Sequence, residues 1–195
     1  DLDTFIITSA AEKSTTGACE KGKIVVYFFG MSYRKGGRPA GRRRASMSDL
    51  REVLQENSYL RQKQLIFADC DRYQRARVST LLSIAAAVAG ADYDARGLTY
   101  EKLYEMREVF LLSRIALRIH RCPRALQVVD VTTWEDGVKA AHMQRVYEIT
   151  DREGLLVSIR SDWILVDPQT RRIMRPGTFT AKKLGTCPKA NDAPE

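Results

Sequence analysis

"RIALRIHRCPRALQVVDVTTW", residues 114–134, alternates apolar and polar positions, breaks at a proline, and alternates again up to a tryptophan. A period of two marks a half-buried strand, because successive side chains leave a pleated backbone on opposite faces. Upstream, Val109, Leu111, Ile115, Leu117 and Ile119 are apolar on odd positions, while Arg114, Arg118 and His120 fall on even ones. A strand is therefore expected over 109–120. Pro123 in Arg121-Cys122-Pro123-Arg124 removes a ladder donor and fixes φ, so the chain must leave that strand at the corner.

Three more strands are expected downstream, at roughly 126–134, 139–150 and 154–166. The last two meet at "DREG" (151–154), a hairpin turn in which Gly154 is free to take positive φ. "VDPQTRR" then turns, with Pro168 at the second turn position, into a short final strand. Upstream, "YLRQKQLIFAD" (59–69) reads as a strand. "VSTLLSIAAAVAGAD" (78–92) reads as a buried helix, and "TYEKLYEMREV" (99–109) as a more polar helix or loop. The long helix is rich in alanine and apolar nearly all round, as suits a helix wrapped by a curved sheet. A strand, a buried helix and a run of antiparallel strands make an α+β chain of the hot-dog arrangement, an antiparallel sheet around a central helix.

Residues 1–58 read differently and form an unassigned extension. "KGKIVVYFFG" (21–30) suggests a strand. The next stretch, 31–48, has six basic residues, no acid and Gly-Gly and Pro punctuation, the composition of a linker. "SDLREVLQEN" offers Ser48 as N-cap and Leu50, Val53 and Leu54 at helical spacing, which predicts a short helix. The basic run fails as a phosphate loop, since Arg42 and Arg43 follow Gly41 where the Walker pattern needs Lys and a hydroxyl. Only Tyr33 interrupts it for base stacking, so no nucleic-acid partner is expected.

The 195 residues, 44% hydrophobic, can bury one substantial core. The longest apolar stretch, "LLSIAAAVAGA" (81–91), is too short to span a bilayer, so the chain reads as soluble and without membrane insertion, and its cysteines as free thiols of a reducing cytoplasm. Cys19, Cys70, Cys122 and Cys187 stand about fifty residues or more apart, which excludes a zinc knuckle and argues for free thiols. A net charge of +8 favours an acidic partner.

The run "LLSRIALRIHRCP…VVDVTTW…RVYEITDREGLLVSIRSDWILVDPQTRRIMRP" resembles the first hot-dog domain of acyl-acyl-carrier-protein thioesterases. The points of match are Arg114, Arg121 with Pro123, Thr133-Trp134, Arg145, Asp151 with Gly154, Ser161 with Trp163, Asp167, Thr170-Arg171-Arg172 and Arg175-Pro176. The resemblance covers about 59–195. It implies hydrolysis of fatty acyl thioesters of acyl carrier protein in fatty acid biosynthesis, with no metal and no cofactor. It also implies two tandem hot-dog domains, the catalytic Asp, Asn and His lying in the second. On that basis 59–176 is the first hot-dog domain and 177–195 the start of a linker, the second domain being absent from this chain.

Tandem domains repeat one unit, so "FADCDRYQRARV" should correspond to the catalytic segment. Asp69 and Asp71 sit where its acids would, but Tyr73 stands for the Asn and Arg75 for the His. Arginine stays protonated and cannot serve as a base. Asp71 is thus the one catalytic candidate, a base or nucleophile in a single-domain homodimer, set against a helix cap or an arginine partner. His120 and His142 read as strand residues, and neither Cys70 nor Cys122 reads as a nucleophile. Trp134 and Trp163 read as core or sheet-end packing, with the lining of an acyl pocket as the alternative.

For an acyl-binding half, the small residues Ala85, Ala86, Ala89 and Gly90 would set the depth of an apolar tunnel. Arg118, Arg121 and Arg124 would help dock the acidic carrier protein, unless they serve only local ion pairs. The competing class is a non-catalytic hot-dog module binding an acyl group or a protein. A homodimer through the sheet is compatible with either.

Overall fold

The structure, a computed structural model, describes residues 50–179 and 189–194 together with the strand Thr4–Thr8. The strand expected at 21–30, the basic run with Ser48, and Cys19 and Cys187 lie outside the described residues.

The order is β1 (Thr4–Thr8), β2 (Glu52–Leu54), β3 (Tyr59–Gln64), α1 (Val78–Ala95), α2 (Tyr100–Glu105), β4 (Val109–Ile119), β5 (Val128–Lys139), β6 (His142–Asp151), β7 (Gly154–Val166) and β8 (Ile173–Met174). The strands form one antiparallel sheet in the order β1-β4-β7-β6-β5-β3-β2, with β8 added to β7. Leu81, Ile84, Ala85, Val88 and Ala89 of α1 pack into one core with Leu117, Val131, Tyr147, Ile149 and Ile159 of the sheet. This is the α+β hot-dog fold. The helix is not buried all round, for Ser83, Ala87, Gly90 and Asp94 form an exposed stripe along it. It ends on Gly97 at φ +75°, with the Leu98 N–H donating to the Tyr93 carbonyl at 2.9 Å, a left-handed cap that glycine adopts without strain.

Several boundaries differ from the sequence reading. Glu52–Leu54 is no helix; it pairs antiparallel with Tyr59–Arg61. The strand from Tyr59 stops at Gln64 and gives way to a 3₁₀ turn, Phe67–Asp69. The segment 99–109 resolves into a short helix capped by the Thr99 hydroxyl. In β4 the register slips between Leu112 and Arg114, a bulge at Ser113. The extra residue flips the phase. Phe110 and Leu112 therefore pack against the cores, while Leu111 is exposed, contrary to the odd-position pattern. β5 runs on to Lys139, and Ala140 at φ +56° starts the turn into His142.

Two features fix the ends of the sheet. Beyond β4, the chain crosses one end to β5 and is tied to the loop before α1 by Ala76 N–H to the Pro123 carbonyl (2.8 Å) and Ala125 N–H to the Gln74 carbonyl (3.0 Å). Residues 189–194 run over the outer face. Lys189 Nζ lies 5.3 Å from the Trp134 ring centroid, and the Asp192 carbonyl accepts from the Ser158 hydroxyl at 3.0 Å.

Candidate functional site

On α1, Ala86, Ala89, Gly90 and Tyr93 share one face at i, i+3, i+4 and i+7. The first three carry at most a methyl group, so the helix cannot fill the space in front of it. A cavity of about 170 Å³ results, closed on the sheet side by Phe110 of β4, Met143 of β6 and Trp163 of β7. A Cβ built on Gly90 would meet nothing within 4 Å. Tyr93 stacks on Phe110 with centroids 5.4 Å apart, and the Trp163 indole N–H donates to Ser161 Oγ at 2.6 Å. The walls are thus mostly apolar and held in place.

An ionic network backs the cavity. Glu135 of β5 and Arg145 of β6 line it, and Arg145 donates from Nη2 to Glu135 Oε1 at 2.6 Å and from Nη1 to Asp92 Oδ2 at 2.8 Å. The Tyr93 hydroxyl donates to the same Glu135 oxygen at 2.9 Å. Arg96 donates to the other Asp92 oxygen at 2.7 Å and to the Glu56 carbonyl at 2.8 Å. Burial opposes the charge on Arg145, but Glu135, with Tyr93, Tyr147 and Asp92 beside it, outweighs burial and holds the guanidinium protonated well above its ordinary range. Burial, then the Glu135 carboxylate, raises the Tyr93 hydroxyl well above its own. Arg145 and Tyr93 are thus held in one protonation state, and the hydrogen bonds they make tie α1 to β5 and β6 behind the cavity.

The loop before α1 has a different character. Asp71 accepts the Tyr73 N–H at 2.8 Å, the Arg75 N–H at 2.9 Å and Arg75 Nε at 3.2 Å. The Arg75 and Tyr73 backbone bonds, with the Arg75 side chain, hold its carboxyl below the usual range despite partial desolvation. It closes a turn and pairs with arginine; it does not cap α1, whose N-cap position is Arg77. Asp69 pairs with Lys63 at 3.4 Å. Burial raises both the Cys70 and Cys122 thiols, the opposite of what a nucleophilic sulfur needs. His142 Nε2 lies 3.3 Å from Ser113 Oγ and His120 Nε2 3.0 Å from Ser158 Oγ. Among the described residues no group of three His, Cys, Asp or Glu could hold a metal ion, and no helix is long and apolar enough to cross a membrane.

Residues 56–177 match the family model of the acyl-ACP thioesterase N-terminal domain. The chain belongs to the acyl-ACP thioesterase family. Among solved structures it is similar to a Lactobacillus plantarum protein named "oleoyl thioesterase (putative)", at 30% identity and a TM-score of 0.59, over 62% of this chain and 47% of that one. An acyl-ACP thioesterase from Bacteroides thetaiotaomicron matches at 22% identity and a TM-score of 0.61, over 71% and 57%. A 12:0-ACP thioesterase from Umbellularia californica matches at 14% identity and a TM-score of 0.58, over 63% and 50%, which speaks for the fold alone. The chain spans about half the length of these relatives. No curated protein matches it.

In this acyl-ACP thioesterase domain the residues that carried the resemblance serve as fixtures. Arg145, Thr133, Ser161 and Trp163 form one connected seam behind the cavity, Arg145 Nη1 reaching Thr133 Oγ1 at 3.3 Å. Arg121 pairs with Asp151 and Glu153, each at 2.5 Å, and so pins the corner to the β6–β7 hairpin. Asp167 accepts the Gln169 and Thr170 N–H groups and pairs with Arg107 at 2.7 Å. Of the four small residues expected in a pocket, Ala86, Ala89 and Gly90 line the cavity. Ala85 faces the core at 1% exposure. The three arginines are not one patch. Arg118 donates to the Asp192 carbonyl on the outer face, Arg121 is paired, and Arg124 is exposed beside Arg75. Sequence reasoning missed Tyr93, Phe110, Met143, Glu135 and Arg145 as cavity residues. The signal was present for three of them, since Met143, Glu135 and Arg145 fall on the buried phase of their strands.

Proposed function

We propose that this chain is the acyl-binding half of an acyl-ACP thioesterase and that the cavity between α1 and the sheet receives the fatty acyl chain. The observation that carries the reading is the apolar cavity faced by Ala86, Ala89 and Gly90 in a domain of this family. Each methylene moved from water into it contributes about 0.8 kcal/mol, so cavity depth selects chain length. The overall reaction, cleavage of the thioester between acyl group and carrier by water, needs a general base near neutral pH. The loop at 69–77 supplies Arg75 where the family's histidine would stand, and an Asp71 carboxylate that accepts the Tyr73 and Arg75 N–H groups and pairs with the Arg75 side chain. The chemistry therefore belongs to a second hot-dog domain, and residues 59–176 shape the pocket.

The test is chain-length dependence. Ala86→Trp or Ala89→Trp in the enzyme containing this chain should shorten the longest acyl group accepted, at a stability cost of about 1–3 kcal/mol from overpacking. A folded variant with an unchanged chain-length profile would place the acyl group elsewhere. Turnover by residues 1–195 alone that Asp71→Asn abolishes would replace the reading with a single-domain homodimeric thioesterase.

A further inference from the structure

We propose that the loop end of the sheet, where the 3₁₀ turn, the 70–77 loop and the 121–128 corner meet, docks an acidic helix with an apolar face on the acyl carrier protein. The proposal rests on the thioesterase reading above and adds where the carrier lands. Ile66, Phe67, Tyr73, Leu126 and Val128 are each between 44% and 61% exposed, and all belong to this one end. The Leu126 N–H bonds to the Leu65 carbonyl at 2.8 Å, and Val128 pairs with Gln64, which brings the corner beside the 3₁₀ turn. Gathered exposed apolar side chains mark a contact surface more than single ones do.

The backbone works to keep them there. Leu126 sits at φ +67° and Gln74 at φ +63°, a region that bulky L-residues rarely adopt. Their neighbours hold this geometry, for Ala125 N–H bonds to the Gln74 carbonyl at 3.0 Å. The result is a leucine presented to solvent on a strained turn.

Charge names the occupant. Lys63, Arg72, Arg75, Arg77, Arg121 and Arg124 lie on or beside these segments, against Asp69 paired with Lys63, Asp71 paired with Arg75, and Asp151 and Glu153 paired with Arg121, which leaves Arg72, Arg77 and Arg124 in excess. The Arg72 and Arg75 guanidinium carbons lie 4.7 and 5.2 Å from the Tyr73 ring centroid, so ring and cations form one surface. A second copy of the chain would bring the same cations face to face, whereas an acidic helix is drawn in and oriented by them. The 3₁₀ turn follows β3 and Val128 opens β5, strands on the β2 side of the sheet, whose opposite edge is β1 on β4.

The experiment titrates residues 1–195 with holo acyl carrier protein at low and high salt. It compares wild type, Arg72→Glu with Arg124→Glu, and Phe67→Ser with Leu126→Asn; asparagine tolerates the left-handed turn and so preserves the fold. Arg171→Glu with Arg172→Glu, on the turn before β8, is the control. Both patch variants should bind about tenfold or more weakly at low salt, the charge variant also losing salt dependence, while the control binds as wild type. Unchanged binding by the patch variants overturns the proposal and leaves the thioesterase reading standing. So does wild type that takes up an acyl probe but ignores the carrier, or patch variants that instead dissociate a dimer or detach the chain from phosphatidylglycerol vesicles. A chain that takes up neither probe nor carrier overturns both.

Discussion

Arg145 on β6 and Asp92 on α1 meet at 2.8 Å, with side chains 2% and 3% exposed, and so join the helix to the sheet through charge at the back of the cavity. Arg145 also holds Glu135, so its removal strands two buried carboxylates. Arg145→Met is expected to cost about 3–5 kcal/mol in urea unfolding. Adding Asp92→Asn and Glu135→Gln should recover much of that loss, because the uncompensated charge causes most of it. A single variant within 1 kcal/mol of wild type, by the same measurement, would mean the network is not needed for the fold.

Gly90→Ala is expected to stabilise the domain by about 1 kcal/mol, since a mid-helix glycine costs that much and its Cβ would meet nothing within 4 Å. Thermal melts with and without a bound acyl probe separate the two consequences. The free protein should gain stability, and the longest acyl chains should lose some of their stabilising effect as the methyl narrows the cavity. A lower melting temperature for the free variant would show contacts at this wall that the geometry does not contain.

Acid should loosen the corner. Partial desolvation pushes the Asp151 carboxyl up, but the Glu153 N–H, Arg121 and Gln127 outweigh it and hold the pKa below the ordinary carboxylate value. A depressed folded pKa gives stability that is present above the unfolded value, about 4, and lost as pH falls through the folded one. Asp151→Asn should therefore lower the melting temperature at neutral pH and flatten its fall below about pH 4. Parallel curves for variant and wild type would remove Asp151 from the acid response.

Residues 1–195 alone should hydrolyse acyl-carrier-protein thioesters slowly or not at all, and Asp71→Asn should leave that rate unchanged. Its carboxylate closes the turn with the Tyr73 and Arg75 N–H groups and pairs with the Arg75 side chain. A rate near that of a two-domain enzyme, measured by release of the carrier thiol, would refute this.

The long strands and α1 were legible because burial on one face writes itself into a sequence as period two or 3.6. Glu52–Leu54 was not, since a three-residue strand is too short to show any period, and Leu50, Val53 and Leu54 happen to fit a helix. The Ser113 bulge could not be read either, because alternation that shifts by one residue still looks like alternation. At the site, the helix side of the cavity was visible as small residues. The sheet side depends on which residues of β4, β6 and β7 come together, a relation that only the topology supplies. Arg145 could be picked out as a family signature but not explained until Asp92, 53 residues away, closed on it.

Trp163 lines the cavity, whereas Trp134 points to the other face of the sheet under Lys189. Titrating residues 1–195 with a non-hydrolysable fatty acyl-pantetheine analogue, and following tryptophan fluorescence, therefore watches the proposed acyl site directly. The signal should change saturably in wild type, disappear in Trp163→Phe, and demand a shorter acyl chain in Ala86→Trp. Saturable binding that leaves Trp163 silent, or no binding at any chain length, would contradict an acyl site between α1 and the sheet.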